Sequence, residues 1–146
     1  MRNSVELRGF VGALVALVAT ACASGGDANS RELMAISHQA TPDGSLSVND
    51  DGRYSFIDST KEIETHGTLT SAELADVKAH VVPAQLDSLY AHGNPIEEEC
   101  AKVDDAYVLI SKRGSACFVI STISDASAKS DLMFFVSLFN EKSGTQ

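Results

Sequence analysis

Residues 45–58 read SLSVNDDGRYSFID, two segments of alternating apolar and polar residues on either side of an Asn-Asp-Asp-Gly turn. Alternation with a period of two is typical of a β-strand that buries one face. Asp51-Gly52 favours a type I′ turn, because both central positions of that turn take a positive φ. The stretch therefore predicts an antiparallel β-hairpin near the start of the folded domain.

Further segments extend this hairpin into a sheet. Residues 33–37 (LMAIS) form a short apolar run before it, and residues 61–66 (KEIETH) predict a polar edge strand after it. Residues 106–111 and 116–122 predict a second hairpin, with Arg113-Gly114 as its two-residue turn. The strands of this second hairpin are apolar on both faces, which indicates central strands covered at least partly on both sides.

Helical signals follow the first hairpin. Thr70 and Glu73 have the spacing of a capping box, which predicts that a helix begins after Thr70. Pro83 ends that helix or begins a second, shorter one.

Residues 127–142 predict the last helix, because their apolar side chains recur at i, i+4, i+7, i+8 and i+11. The segment FFVSLF at 134–139 also fits a strand by alternation, but the length of the whole segment and the capping residues Ser124 and Asp125 favour a helix packed on the sheet. Its wide apolar stripe fits core packing or, alternatively, a surface that binds a partner. The predicted fold class is α+β, with an antiparallel sheet built from two hairpins and two to three helices packed on one face.

Residues 1–21 have the features of a signal peptide. Arg2 and Arg8 give a basic start, residues 10–18 (FVGALVALV) are uncharged and apolar, and small residues precede the cleavage point. The apolar run is shorter than the roughly 20 residues that span a bilayer. Cys22 follows directly, where a lipoprotein signal has its acylated thiol. An ordinary secretory cleavage also fits the same residues and would leave a soluble secreted protein.

Ala19-Thr20-Ala21-Cys22, followed by small polar residues, resembles the signals of bacterial envelope lipoproteins, although Ala19 stands where those signals usually carry Leu. The resemblance implies acylation of Cys22, attachment to the membrane through its acyl chains, and localisation in the bacterial cell envelope. Ala23 is not the aspartate that marks inner-membrane retention, so the resemblance implies the outer membrane. The predicted divisions are a signal peptide at 1–21, an acylated cysteine and flexible tether at 22–31, one α+β domain at 32–142, and a disordered tail at 143–146.

The body of the chain has a weaker resemblance. With Asp51-Gly52, residues 66–70 (HGTLT) leading into a helix, and a strand at 105–110, it is similar to small lipoprotein domains. It also shares its order of elements with emfourin-type inhibitors of thermolysin-like proteases. No diagnostic motif matches residue by residue, so no functional residue is carried over.

The composition is acidic. Without residues 1–21 the chain has 9 Lys and Arg against 19 Asp and Glu, a formal charge of −10. A surface of that sign repels phosphate backbones and anionic lipid headgroups, so nucleic acids are disfavoured as partners. No glycine-rich phosphate loop follows a predicted strand, so a nucleotide is not expected. The expected protein partner is basic or neutral.

Cys100 and Cys117 form an even pair once Cys22 is acylated, and an oxidising compartment favours a disulfide between them. With Arg113-Gly114 as the turn, Cys117 lies opposite Ile110, so the connection that carries Cys100 has to fold back along the sheet. The alternative is a reactive thiol, which would make the protein a small thiol-dependent or hydrolytic envelope enzyme.

Candidate site residues are otherwise few. Five carboxylates fall within nine residues: Glu97, Glu98, Glu99, Asp104 and Asp105. They lack the alternate spacing and the glycine of a calcium loop, so they predict a solvated acidic loop. The alternative is an anionic patch that recognises a basic partner or loosely holds a divalent cation. The four histidines, at 38, 66, 80 and 92, lack metal-binding spacing and are expected to be exposed near the ends of elements.

We find no nucleophile elbow or phosphate loop, and we expect no catalytic residue, metal or cofactor. The sequence thus predicts a non-enzymatic, membrane-anchored protein with an acidic protein-binding domain, an inhibitor or an accessory.

Overall fold

The computed structural model describes residues 30–40, 43–95 and 97–144, so the predicted signal peptide and Cys22 lie outside the described residues. The described chain forms six β-strands, three α-helices and two short 3₁₀ helices. The strands are β1 (Glu32–His38), β2 (Gly44–Asn49), β3 (Arg53–Asp58), β4 (Ile63–Thr68), β5 (Ala106–Ser111) and β6 (Gly114–Val119). The α-helices are α1 (Ser71–His80), α2 (Pro83–Tyr90) and α3 (Ala126–Lys142), and the 3₁₀ helices are Glu97–Lys102 and Ile120–Thr122.

The strands form one antiparallel sheet in the order β4-β3-β2-β1-β5-β6. The first four strands follow one another as a meander, and β5 and β6 join it as a hairpin through β1. Ile36 of β1 therefore lies between Leu46 of β2 and Leu109 of β5. This arrangement confirms the predicted fold class.

The core lies between one face of this sheet and the helices. Strand residues such as Ile36 and Leu46 belong to the same buried cluster as Val77 of α1, Leu89 of α2 and Phe135 of α3. Inward residues alternate along β1 and β2, so removing their side chains from water stabilises the sheet and the helices together. The helix prediction for the last segment, including its packing on the sheet, is confirmed.

Both hairpin turns differ from the prediction. The β2–β3 turn closes with the Gly52 amide donating to the Asn49 carbonyl at 3.0 Å, and only Gly52 of the Asp51-Gly52 pair has a positive φ, 88°. A type I′ turn would need the same conformation at Asp51, and the longer turn avoids it. In the second hairpin Ser111 pairs with Gly114, so the turn residues are Lys112 and Arg113 rather than Arg113 and Gly114.

The ends of the helices match the sequence signals closely. Thr70 caps α1 with both hydrogen bonds of the capping box, and Asp125 caps α3 through the backbone N–H of Ala128 at 2.7 Å. Pro83 occupies the first turn of α2, where its missing N–H needs no partner.

The connection at 97–102, expected to be an irregular loop, forms a 3₁₀ helix.

Candidate functional site

A disulfide joins Cys100 to Cys117, with a Cα–Cα distance of 5.6 Å. This confirms the predicted bridge, but Cys117 lies opposite Val108 and not opposite Ile110, because the turn is one residue earlier than expected. Val108 and Cys117 face away from the three helices, and with Cys100 and Ala106 they form a second, small buried cluster. The disulfide therefore holds the 3₁₀ helix at 97–102 against the outer face of β5 and β6.

The edge of β6 is also covered locally by the chain before that helix. Asn94 and Cys117 exchange two backbone hydrogen bonds of 2.7 Å each, which extends the sheet by one residue pair. Together, these bonds and the disulfide fix the acidic segment, which we define as residues 97–105.

The carboxylates of the acidic segment have different surroundings. Glu98 and Asp104 are exposed. The Asp105 carboxylate accepts a hydrogen bond from the Ser121 backbone at 2.9 Å, and hydrogen bonds from the Ser121 side chain and backbone lower the pKa of Asp105 below its ordinary value. Asp105 therefore serves the local fold, and the side chains of Glu97 and Glu99 lie outside the described part of the structure.

Beside the acidic segment, the outer face of β1, β2 and β3 carries small side chains, and we call this surface the serine face. Strand pairing places Ser37 next to Ser45, Ala35 next to Ser47, and Ser47 next to Ser55. All of them are partly accessible, and Ala35 adds the only methyl group. The serine face comprises Ala35, Ser37, Ser45, Ser47 and Ser55.

The serine face is bordered by apolar and charged side chains, and β3 and β4 also place Arg53 and His66, the partner of Ser55, on this side of the sheet. Ile110, paired with Ala35, and Ile57, paired with Ser45, are 42% and 43% exposed. On the far side, β4 carries Glu64, whose Oε1 accepts a hydrogen bond of 2.7 Å from Ser55 Oγ. This surface was not predicted from the sequence. Its signal was present in four outward positions of the predicted strands, Ser37, Ser45, Ser47 and Ser55.

The histidines only partly follow the prediction of exposed positions. His66 and His92 are exposed, but His38 is 4% exposed, with Nε2 at 2.7 Å from the Asp104 carbonyl oxygen and its ring stacked on Tyr107 at 4.5 Å. His38 is buried because it continues the inward series of Met34 and Ile36 along β1.

His80 also differs from the prediction. It is partly buried, and its ring stacks on Phe134 at a centroid distance of 3.8 Å.

The side chains of the serine face and the acidic segment include hydroxyl groups, carboxylates and small apolar groups. Both cysteines of the domain are joined in the disulfide, so neither offers a thiolate. Within residues 30–40, 43–95 and 97–144, no three His, Cys, Asp or Glu side chains are grouped so that they could hold a metal ion. In the same ranges, no helix has the length and apolar character required to cross a membrane.

The chain matches no protein-family model, no curated protein and no solved structure in the comparisons made.

Proposed function

We propose that the protein is a non-enzymatic lipoprotein of the bacterial envelope whose domain binds a basic protein through the serine face and the acidic segment. The observation that carries the proposal is the juxtaposition of the two: a face of small side chains lies next to carboxylates whose backbone is fixed by a disulfide. Such a protein would act as an inhibitor or as an assembly accessory.

The charges support a basic partner. Glu98 and Asp104 are exposed on one side of the serine face and Glu64 on the other, in a domain whose formal charge is −10. Complementary charge speeds the encounter of two proteins and disfavours partners of the same sign.

The shape of the face supports contact with a protein rather than with a small molecule. Small side chains let the backbone of a partner approach closely, and their hydroxyl groups donate and accept hydrogen bonds. Ile57 and Ile110 add apolar area at its two sides, which a partner would bury.

Photo-crosslinking in intact cells tests the binding surface. A photoreactive amino acid replaces Ser47 in the serine face or, as the control, Ser130, which is exposed on α3 over the other face of the sheet. We expect one predominant adduct with a basic protein from position 47 and none from position 130. Equal adducts at both positions, or none at position 47, would contradict the proposal.

The contribution of the exposed carboxylates to binding is tested by the yield of the crosslinked adduct from position 47. Glu98→Gln with Asp104→Asn should reduce its yield several-fold, whereas Asp76→Asn with Glu141→Gln, an equal loss of charge on the helical side, should leave it unchanged. A similar effect of both pairs would mean that only net charge matters.

Lipid anchoring is tested at Cys22. We expect Cys22→Ala to abolish metabolic labelling with a fatty acid and to release the protein from membranes, because Cys22 is the acylation site in the proposal. The control is Cys100→Ala with Cys117→Ala, which removes the two other cysteines and should retain the label. Labelling that persists in Cys22→Ala would exclude acylation at this residue.

A further inference from the structure

A cavity of about 200 Å³ opens on the surface between the junction of α1 with α2 and the turn of the β5–β6 hairpin. Its wall is apolar on the side of the helices, where Val81, Pro83 and Leu86 line it. Its rim is charged and consists of Asp87 of α2 with Lys112 and Arg113 of the turn.

The turn is held firmly against α2 at this point. The Tyr90 hydroxyl lies 3.0 Å from the Leu109 carbonyl oxygen and 2.9 Å from that of Gly114, so it contacts both strands of the hairpin close to the turn. Arg113 Nε donates to Asp87 Oδ1 at 2.6 Å across the cavity. The cavity is therefore bounded by elements that are bonded to each other.

The rim is positive although the protein is acidic. Lys112 and Arg113 are the only adjacent pair of basic residues in the sequence, whose net charge is −9. Asp87 offsets the charge of Arg113, and among the residues that the structure describes none forms an ion pair with Lys112. Arg113 also keeps four N–H groups beyond the one that it donates to Asp87. The rim can thus accept one carboxylate.

The size of the cavity selects the apolar part of the ligand. A volume of about 200 Å³ equals roughly seven water molecules at about 30 Å³ each. It is smaller than the roughly 300–1,000 Å³ of small-molecule sites, and a long fatty acyl chain would exceed it. One apolar side chain fills it, while the rest of a larger partner covers the mouth, as at the anchor residues of protein interfaces.

We propose that this cavity binds the C-terminal residue of a polypeptide, with its apolar side chain against Val81, Pro83 and Leu86 and its α-carboxylate between Lys112 and Arg113. A C-terminal residue carries the apolar group and the carboxylate on one Cα, so a single residue satisfies both parts of the cavity. The site is separate from the serine face, and the proposal does not depend on the proposed function.

The test uses two probes that differ only in the carboxylate, N-acetyl-leucine and N-acetyl-leucinamide. Each is titrated into the ¹⁵N-labelled mature protein in detergent, and the amide shifts of Val81, Leu86 and Arg113 are followed. We expect saturable shifts with N-acetyl-leucine at a dissociation constant on the order of a few millimolar, as about a dozen non-hydrogen atoms allow. The amide probe should bind about tenfold more weakly.

Lys112→Gln should weaken the binding of N-acetyl-leucine about fivefold, since it removes one exposed charge partner of the carboxylate. Lys129→Gln, the same change at an exposed position of α3, should leave it unchanged. Equal affinity for the two probes, shifts that do not saturate, or no effect of Lys112→Gln would each overturn the proposal.

Discussion

Glu73 makes two interactions that depend on its negative charge. Its Oε2 accepts the Thr70 backbone N–H at 2.6 Å, and its Oε1 accepts from Lys142 Nζ, also at 2.6 Å. The hydrogen bond from Lys142 is the larger cause, and that from Thr70 the next, of a pKa of Glu73 lowered from 4.5 to about 2. One side chain thus joins the beginning of α1 to the end of α3.

The lowered pKa predicts how stability depends on pH. Above about pH 5, Glu73 is charged in the folded and the unfolded chain, and its interactions contribute fully to the free energy of unfolding. As the pH falls toward 2, the unfolded chain binds the proton first, so the contribution is lost.

We therefore expect Glu73→Gln to lower the free energy of unfolding by about 1 kcal/mol at pH 7, a value typical of a partly exposed pair. The difference from the unmodified protein should shrink from pH 5 downward and vanish near pH 2. Urea unfolding at several pH values measures it. Glu141→Gln is the control, because Glu141 contacts the same Lys142 at 2.8 Å but is half-exposed and takes no part in the capping box. A constant difference at every pH would contradict the assignment.

At the scale of elements, the beginning of α1 is defined by its cap. Thr70 Oγ1 accepts the Glu73 backbone N–H at 3.2 Å, which satisfies one of the N–H groups that the first turn leaves without a helical partner. We expect Thr70→Ala to lower the free energy of unfolding by about 1 kcal/mol and to leave binding at the serine face unchanged. Urea unfolding compares it with Ser71→Ala, an exposed change in the first turn that should have little effect. An unchanged midpoint for Thr70→Ala would mean that the cap contributes nothing.

The second element-scale feature is the acidic segment, which depends on the disulfide for its position. Cys100 and Cys117 are separated by 17 residues, and closing a loop of this size in the unfolded chain stabilises the folded state by about 3 kcal/mol. Cys100→Ala with Cys117→Ala should lower the free energy of unfolding by about that amount.

The double variant should also release the acidic segment before the rest of the domain. Amide hydrogen exchange at residues 97–102 should then become faster, whereas exchange in β1 and β2, on the other side of β5, should change only with global stability. Thiol titration of the unreduced protein is the control, and we expect it to detect neither Cys100 nor Cys117. Free thiols at both residues would refute the bridge.

At the scale of the whole molecule, α3 is the element on which the sheet and the helices converge. Phe139 is fully buried, and its ring contacts those of Phe56, Tyr107 and His38, from three different strands. Its removal therefore affects the pairing of the meander with the β5–β6 hairpin as well as helix packing.

We expect Phe139→Ala to lower the free energy of unfolding by about 3–5 kcal/mol, a large share of the total stability of a domain of this size. Met133→Ala on the same helix, where Met133 is 37% exposed, should change it by less than about 0.5 kcal/mol. Urea unfolding followed by circular dichroism measures both. A Phe139→Ala variant as stable as the Met133→Ala variant would mean that α3 does not hold the core together.

Part of the proposed binding surface followed from the sequence. The even number of cysteines predicted the disulfide, and the acidic composition predicted the charge of the segment beside it. Asp105 and His38 could not be assigned, because their roles depend on Ser121 and on the Asp104 carbonyl, which only tertiary folding brings close. The cavity at Lys112 and Arg113 was not predicted either, since it forms between a helix junction and a distant hairpin turn.

The sequence by itself determined the elements, because their signals act over a few residues. Alternation at 45–58 predicted two strands, Thr70 and Glu73 predicted the beginning of a helix, and the apolar spacing at 127–142 predicted α3. Only the tertiary structure decided the pairing of β1 with β5 and the position of the β5–β6 turn, which places Cys117 opposite Val108. Alternation specifies which residues share a face of a strand. Which face is covered depends on packing against α3 and the acidic segment. That packing requires contacts between parts of the chain that are far apart in sequence, so no local signal specifies it.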